Sequence, residues 1–252
     1  MVTKLETVRL PKAAELVART LRNKILTKEL VADDPLPPEN ELMADMGVAR
    51  TTVREALRIL ESEGLLVVRR GAGGGARIRT PAVPMVARYI GLLLQSEGAS
   101  VEDLHRARIM LEAPAAGQLA ERVTPEIVQR LRDVLSAEAD AAGDDPVRTS
   151  RVHGLFHRRV VELTGCHTYN VLSAVADRMI QVQADRFAAA HGDEEVTHAG
   201  FADAHRAHAR LVDLIAAGAA HDAAELWRRH LEAGDVRLMS APGTGTVLDL
   251  LD

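Results

Sequence analysis

Residues 36–78 read LPPENELMADMGVARTTVREALRILESEGLLVVRRGAGGGARI, and the reading of this stretch decides the fold. The first part is expected to be a short helix from about Glu39 to Met46, stopped by Gly47, a residue suited to the left-handed position after a helix. A second helix is expected from about Arg50 to Glu63, stopped at Gly64. Its apolar residues Val53, Ala56, Leu57 and Leu60 recur at helical spacing, while Arg50, Thr51, Arg54 and Arg58 lie off that stripe. LLVVRR and ARIRT are β-type runs on either side of the flexible GAGGG, which predicts a hairpin. Two helices around a Gly-containing turn, followed by a hairpin, make the pattern of a winged helix-turn-helix.

That pattern has a chemical requirement. The second helix must enter a major groove about 12 Å wide and present hydrogen-bond donors there. Arg50, Thr51, Thr52 and Arg54 crowd its first turns, where recognition helices touch bases and phosphates. Arg can pair bidentately with guanine, and Thr hydroxyls suit phosphates. The Gly-rich hairpin, bracketed by Arg69, Arg70, Arg77 and Arg79, can bring backbone close to a duplex. The competing reading is a generic helical pair with a solvated basic face.

Working outward, residues 11–28 predict an amphipathic helix with Pro11 in its first turn and Leu16, Ala18, Leu21, Ile25 and Leu26 mostly on one face. VADDPLPP marks a loop. Pro81 and Pro84 mark a break, so the first domain is expected to span residues 1–80. Beyond it the chain reads as helix nearly throughout. Ser100 with Asp103 opens one helix, and Thr124 before Pro125 and Glu126 opens another. Loops are expected at 143–146, near Gly165, at 191–195 and at Gly218. The expectation for 81–240 is an all-helical antiparallel bundle of six or seven helices. Residues 241–252 are expected to form a flexible tail.

Composition agrees with two apolar cores built from aliphatic residues: 47% of the chain is hydrophobic, yet only 2% is aromatic. So few aromatics argue against single-stranded nucleic-acid binding, which relies on stacking. The net charge of −5 does not suggest a nucleic-acid binder, but its distribution does. Residues 1–80 carry 14 Lys/Arg against 11 Asp/Glu, and residues 81–252 carry 17 against 25. A basic module on an acidic body fits a DNA reader attached to a domain of another kind. The one cysteine, Cys166, excludes an intramolecular disulfide and a thiolate zinc cluster. No stretch approaches a membrane span, and the N-terminus has no signal-type apolar core. A cytoplasmic protein is expected.

Among the ten histidines, four have a spatial argument. His153 and His157 stand at i and i+4, so on a helix they share a face. His208 lies ten residues before the turn at Gly218, and His230 lies nine residues after His221, near the start of the next helix. At 1.5 Å per residue both lie roughly 14–15 Å from that turn, at equal height in an antiparallel pair. Four imidazoles can therefore converge, and neutral imidazole favours Zn, Ni, Cu or Fe. His205, one turn before His208, is the rival ligand, and ordinary helix-face hydrogen bonding is the rival reading.

The quoted stretch, taken over residues 11–80, resembles the DNA-binding domain of the GntR superfamily. The resemblance implies DNA contacts from Arg50, Thr51, Thr52 and Arg54, with Arg70, Gly71 and Gly73 in the wing. Asn40 stands where many relatives place an Arg that also reads DNA, and Ala49 where Ser or Thr is usual. Residues 85–238 resemble the FCD ligand-binding domain of the FadR subfamily, with HGLFHRRV similar to its D-x-x-F-H motif and HARLVDLIAAG…LWRRHL to its final helical pair. This implies metal ligands at His157, His208 and His230, with His153 where an Asp is normal. Four imidazoles in place of three plus a carboxylate lower the site's negative charge by one unit and favour a borderline metal such as Zn or Ni. Arg108 matches the family's pocket arginine and could fork a carboxylate. A plain i,i+4 pair with Glu112 is the alternative.

The expected function is a DNA-binding transcription regulator, a repressor and not an enzyme. Its operator affinity would be set by a small carboxylate at or near a divalent metal. A homodimer on a two-fold duplex site is implied, since one helix-turn-helix reads a half-site. A metal-free acyl-type effector pocket is the alternative. A metalloenzyme is the other class, but no HExxH motif is present, and Glu162 and Asp177 have no positional argument as its base.

Overall fold

Thirteen residues from Arg50 to Ser62 form the helix around which the N-terminal unit is built. The computed structural model describes residues 12–69, 75–142, 145–191 and 195–239. In chain order the elements are α1 (Ala13–Leu26), α2 (Glu39–Met46), α3 (Arg50–Ser62), β1 (Leu66–Arg69), β2 (Gly75–Ile78), α4 (Val83–Ser96), α5 (Val101–Glu121), α6 (Pro125–Ala141), α7 (Pro146–Glu162), α8 (His167–His191), α9 (Glu195–Ala216) and α10 (Ala220–Met239). The chain divides into two compact units at Met85/Val86.

In the first unit, Val53, Ala56, Leu57 and Leu60 of α3 are buried as their spacing predicts. They join Val17, Ala18, Leu21 and Ile25 of α1 with Leu42, Leu66 and Ile78 in one core. Truncating fully buried Leu60 to Ala would cost about 2–5 kcal/mol. The buried face of α1 differs from expectation. Ala14 and Val17 are inside, whereas Leu16 and Leu26 are 41% and 58% exposed. Gly47 ends α2 at φ 62°, a backbone state that L side chains adopt with strain. β1 and β2 pair antiparallel with Leu66 opposite Ile78, both facing the core. The unit is a mainly helical winged helix-turn-helix with a two-stranded wing. The wing residues Arg70, Gly71 and Gly73 lie outside the described residues, as do Pro11 and the tail.

The second unit is all helix among its described residues. Pro84, read as part of a break, instead sits in the first turn of α4, where its missing N–H costs nothing. Ser100 and Asp103 form a reciprocal capping box at α5, and Thr124 accepts from the Ile127 N–H at α6. α5 packs most extensively on α10. Small residues permit this: a Cβ at Gly117 would stand 3.2 Å from the Ala220 carbonyl oxygen. α7 packs on α8 and α6, and α9 on α6 and α10. Gly218, at φ 69°, makes the turn that folds α10 back along α9. The shared core holds Leu119, Leu131, Phe156, Leu211, Trp227 and Leu231. No helix among the described residues is long and apolar enough to cross a membrane.

Candidate metal centre and candidate nucleic-acid interface

α7 supplies His153 and His157 from one face, α9 supplies His208 and α10 supplies His230. The four rings meet: Nε2 of His157 lies 3.1 Å from Nε2 of His153 and 3.4 Å from that of His230, and the His208 and His230 Nε2 atoms are 3.2 Å apart. All four ligand atoms lie within 4.8 Å of one another. His205, the rival ligand, is outside this group; its Nδ1 donates to Glu138 at 3.0 Å.

The outward nitrogens explain the convergence. His157 Nδ1 donates to Glu112 Oε2 at 2.8 Å. His153 Nδ1 donates to Glu138 Oε1 and His208 Nδ1 to Glu138 Oε2, each at 3.0 Å. A carboxylate can only accept, so it draws the ring proton to Nδ1 and leaves Nε2 as a lone pair. Burial pushes His157 and His230 well below the ordinary histidine range. Burial also lowers His208, to about 4, against the opposing pull of Glu138. Burial alone would raise Glu138, but the hydrogen bonds from His153 and His208 outweigh it and hold the carboxyl well below the usual range. His153 and His157, each donating through Nδ1, turn their Nε2 lone pairs on one another 3.1 Å apart, an arrangement that a shared proton or a metal cation between them would satisfy. For Zn–N bonds of 2.0–2.1 Å, a tetrahedral ligand set has N···N edges of about 3.3 Å, so the three short separations fit a metal.

An aromatic wall covers the inner side of the cluster. Phe156 stacks on His208 with ring centroids 4.1 Å apart, and Trp227 lies 4.7 Å from His230 and 4.6 Å from His157. Both are fully buried. Arg108 is neither a surface pair nor an open anchor. Its side chain is 11% exposed, its Nε donates to Glu112 Oε1 at 2.6 Å, and Asp177 lies 3.9 Å away. Arg108 therefore braces the carboxylate that braces His157. Asp177, pushed up to about 8 by burial and by Glu112, shares this polar island. Asp177 Oδ2 and Trp227 Nε1 are buried without a hydrogen-bond partner among the described residues. Glu162, by contrast, is an exposed partner of Arg159. A cavity of about 530 Å³ opens between α6, α7 and α9, lined in part by Glu138, Thr149, His198, Phe201, His205 and Arg206.

The sequence reading missed Glu112 and Glu138 as supporting groups. A signal existed: Glu138 continues the Val128, Leu131, Leu135 spacing that forms the buried stripe of α6, a place where a charge needs a reason.

In the first unit, Asn40, Arg50, Thr51 and Arg54 are exposed and Thr52 is half-buried, on adjoining parts of α2 and α3. Glu39 was not foreseen. It accepts from Arg50 Nε at 2.7 Å and lies 3.9 Å from Arg54 Nε, gathering both guanidiniums at the start of α3. Ala49, at the N-cap, gives the first N–H groups of α3 no side-chain acceptor. Such a helix start favours an anion such as phosphate. Arg77 and Arg79 do not point along the wing as bracketing residues would. They turn back on Asp33, Arg77 to its carbonyl at 2.9 Å and Arg79 to its carboxylate at 3.5 Å.

Comparison with known proteins follows the same division. Residues 13–75 match the family described as bacterial regulatory proteins, gntR family, and residues 103–233 match the FCD domain. The HTH-type transcriptional repressor NanR of Cronobacter sakazakii is 29% identical over 157 residues, covering 61% of this chain and 59% of that protein. An Escherichia coli protein named for regulation of the L-lactate dehydrogenase operon is 34% identical over 148 residues, covering 58% and 56%. The matches thus span less than two thirds of these relatives. Among solved structures, Streptococcus agalactiae GntR shares the fold, with a TM-score of 0.66 at 24% identity over 90% of this chain and 100% of that one.

Proposed function

Because the chain belongs to the GntR family of bacterial regulatory proteins and carries an FCD domain, we propose that it is a transcription regulator whose hold on a duplex operator is set by a small ligand at a divalent metal centre. The observation that carries this reading is the convergence of the His153, His157, His208 and His230 Nε2 atoms within one unit of a chain whose other unit is a DNA-reading module. The metal would be Zn or Ni, borderline ions suited to four imidazoles. Bound there, it supplies a Lewis-acid anchor for an effector.

A small carboxylate is the effector class. The two relatives are named for a repressor and for an L-lactate dehydrogenase operon, and the chain would likewise act by repression. Arg108 is the second anchor: its guanidinium sits behind His157 and is held by Glu112 and Asp177, two groups that an incoming carboxylate would have to outcompete. The unmet Asp177 Oδ2 and Trp227 Nε1 give a bound polar molecule two places to hydrogen-bond. Arg50, Thr51, Thr52, Arg54 and Asn40 would face DNA, with Arg70, Gly71 and Gly73 in the wing. A homodimer would place two such surfaces on a two-fold site. The chain is a binder and not an enzyme on this reading, and the effector works by favouring one arrangement of the DNA-reading units.

The test is a duplex selected by the full protein from a random library, then titrated with metal-loaded protein and a panel of small carboxylates. At least one carboxylate is expected to shift the duplex Kd by tenfold or more, and to lose that effect in His157→Ala. Failure to select any duplex above non-specific affinity at physiological salt would end the reading.

A further inference from the structure

We infer that Glu138 is the positioning residue of the metal centre: one buried carboxylate on α6 that sets two ligands from two other helices and supplies the negative charge that four imidazoles lack. This rests on the metal reading above and names a residue that carries it.

The two carboxylates behind the cluster differ. Glu112 holds one ligand, His157, and is itself paired with Arg108 at 2.6 Å. Its charge is met inside the protein. Glu138 is 4% exposed, and its partners are imidazoles: His153 on Oε1, and His205 and His208 on Oε2, each at 3.0 Å. No Lys or Arg pairs with it among the described residues. A carboxylate buried in this way needs a compensating positive charge nearby. The focus of the Nε2 atoms, one ring away through both His153 and His208, is where a cation would provide it. Charge balance therefore runs in both directions: the cation needs Glu138, and buried Glu138 needs the cation.

The geometry adds orientation to charge. Because Oε1 and Oε2 each take an Nδ1–H, a single planar group fixes the ring rotation of a ligand on α7 and of one on α9. Both Nε2 lone pairs are then aimed by the same anchor, and outer carboxylates of this kind support metal affinity. His205 takes a further bond to Oε2 from the side of the cavity between α6, α7 and α9, covering Glu138 without joining the ligand set.

The experiment measures Zn2+ affinity of the full protein by competition with a chelator of known affinity, for wild type, Glu138→Gln and Glu138→Gln with His153→Asp. Glu138→Gln keeps the shape but presents an amide N–H₂ to one ring N–H. It is expected to raise the Zn2+ Kd by ~10- to 100-fold. The double variant places a carboxylate among the ligands and is expected to recover most of that loss. It should also gain Mn2+ affinity relative to Zn2+, because a carboxylate suits harder ions. Nitrogen NMR of the metal-free wild type, which does not depend on any variant folding, is expected to show His153 and His208 protonated at Nδ1. An unchanged Kd in Glu138→Gln, or the opposite tautomers in wild type, would overturn the role of Glu138 alone. A wild type that binds no Zn2+ would overturn the metal reading and this inference together.

Discussion

Loading and stripping the proposed metal site is the perturbation with the clearest energetic consequence. The four histidines join α7, α9 and α10, and all ten histidines of the chain lie after residue 85, so binding acts on the helical unit. A ligand that binds only the folded state adds about 2.7 kcal/mol at a hundred times its Kd. For a domain of this size about 1 kcal/mol moves Tm by roughly 2–4 °C, so saturating Zn2+ should raise the transition by roughly 5–10 °C over chelator-treated protein. Trp227 is the only tryptophan and packs on His157 and His230, so its fluorescence follows this unit without any label. The paired variant is His157→Ala. It removes a buried ring and strands the fully buried Glu112 oxygen that the ring satisfies, a loss of about 1–3 kcal/mol even without metal. Its Tm should fall and then respond little to Zn2+. A wild-type transition that ignores Zn2+, or an equal shift in His157→Ala, would refute the reasoning.

Further expectations concern separate parts of the molecule. Arg54→Ala, an exposed change on α3, should leave folding intact and weaken binding of a selected duplex by about 1–3 kcal/mol in an anisotropy titration; unchanged affinity would remove Arg54 from the interface. Ala49→Ser should supply the missing cap of α3 and stabilise the N-terminal unit by about 0.5–2 kcal/mol in chemical denaturation, whereas no gain would mean the helix start is already satisfied. Asp177 is held protonated up to about pH 8 when folded but ionises near its ordinary 3.8 when unfolded. Its contribution is thus complete below about pH 4 and is lost as pH rises toward 8. Metal-free protein should lose stability from pH 6.5 to 8 by up to about 1.4 kcal/mol per unit, and Asp177→Asn should flatten that slope; parallel slopes would contradict it.

The features that the sequence displayed were periodic or local. Val53, Ala56, Leu57 and Leu60 declared α3 because burial of one face imposes their spacing, and Gly47, Gly64 and Gly218 declared turns because backbone geometry demands them. The four histidines could be brought together from helical rise and one turn. What stayed hidden was decided across elements. Hydrophobicity places Leu16 and Leu26 inward, but the approach of α3 selects the face holding Val17 and Ile25. Glu112 and Glu138 looked like ordinary helix charges until α7 and α9 set imidazoles against them. Arg77 and Arg79 read as wing cations, yet the loop before α2 runs beside β2 and offers them Asp33. Arg108 has the same lesson: its i,i+4 partner was visible, and its burial was not.

The proposed regulator depends on a metal held by imidazole, which X-ray absorption at the metal edge of protein purified without chelator would detect. The predicted result is one divalent ion per chain, with nitrogen neighbours at about 2.0–2.1 Å and scattering from four imidazole rings, falling to three in His153→Ala. No stoichiometric metal, or a first shell with fewer than three imidazoles, would contradict it.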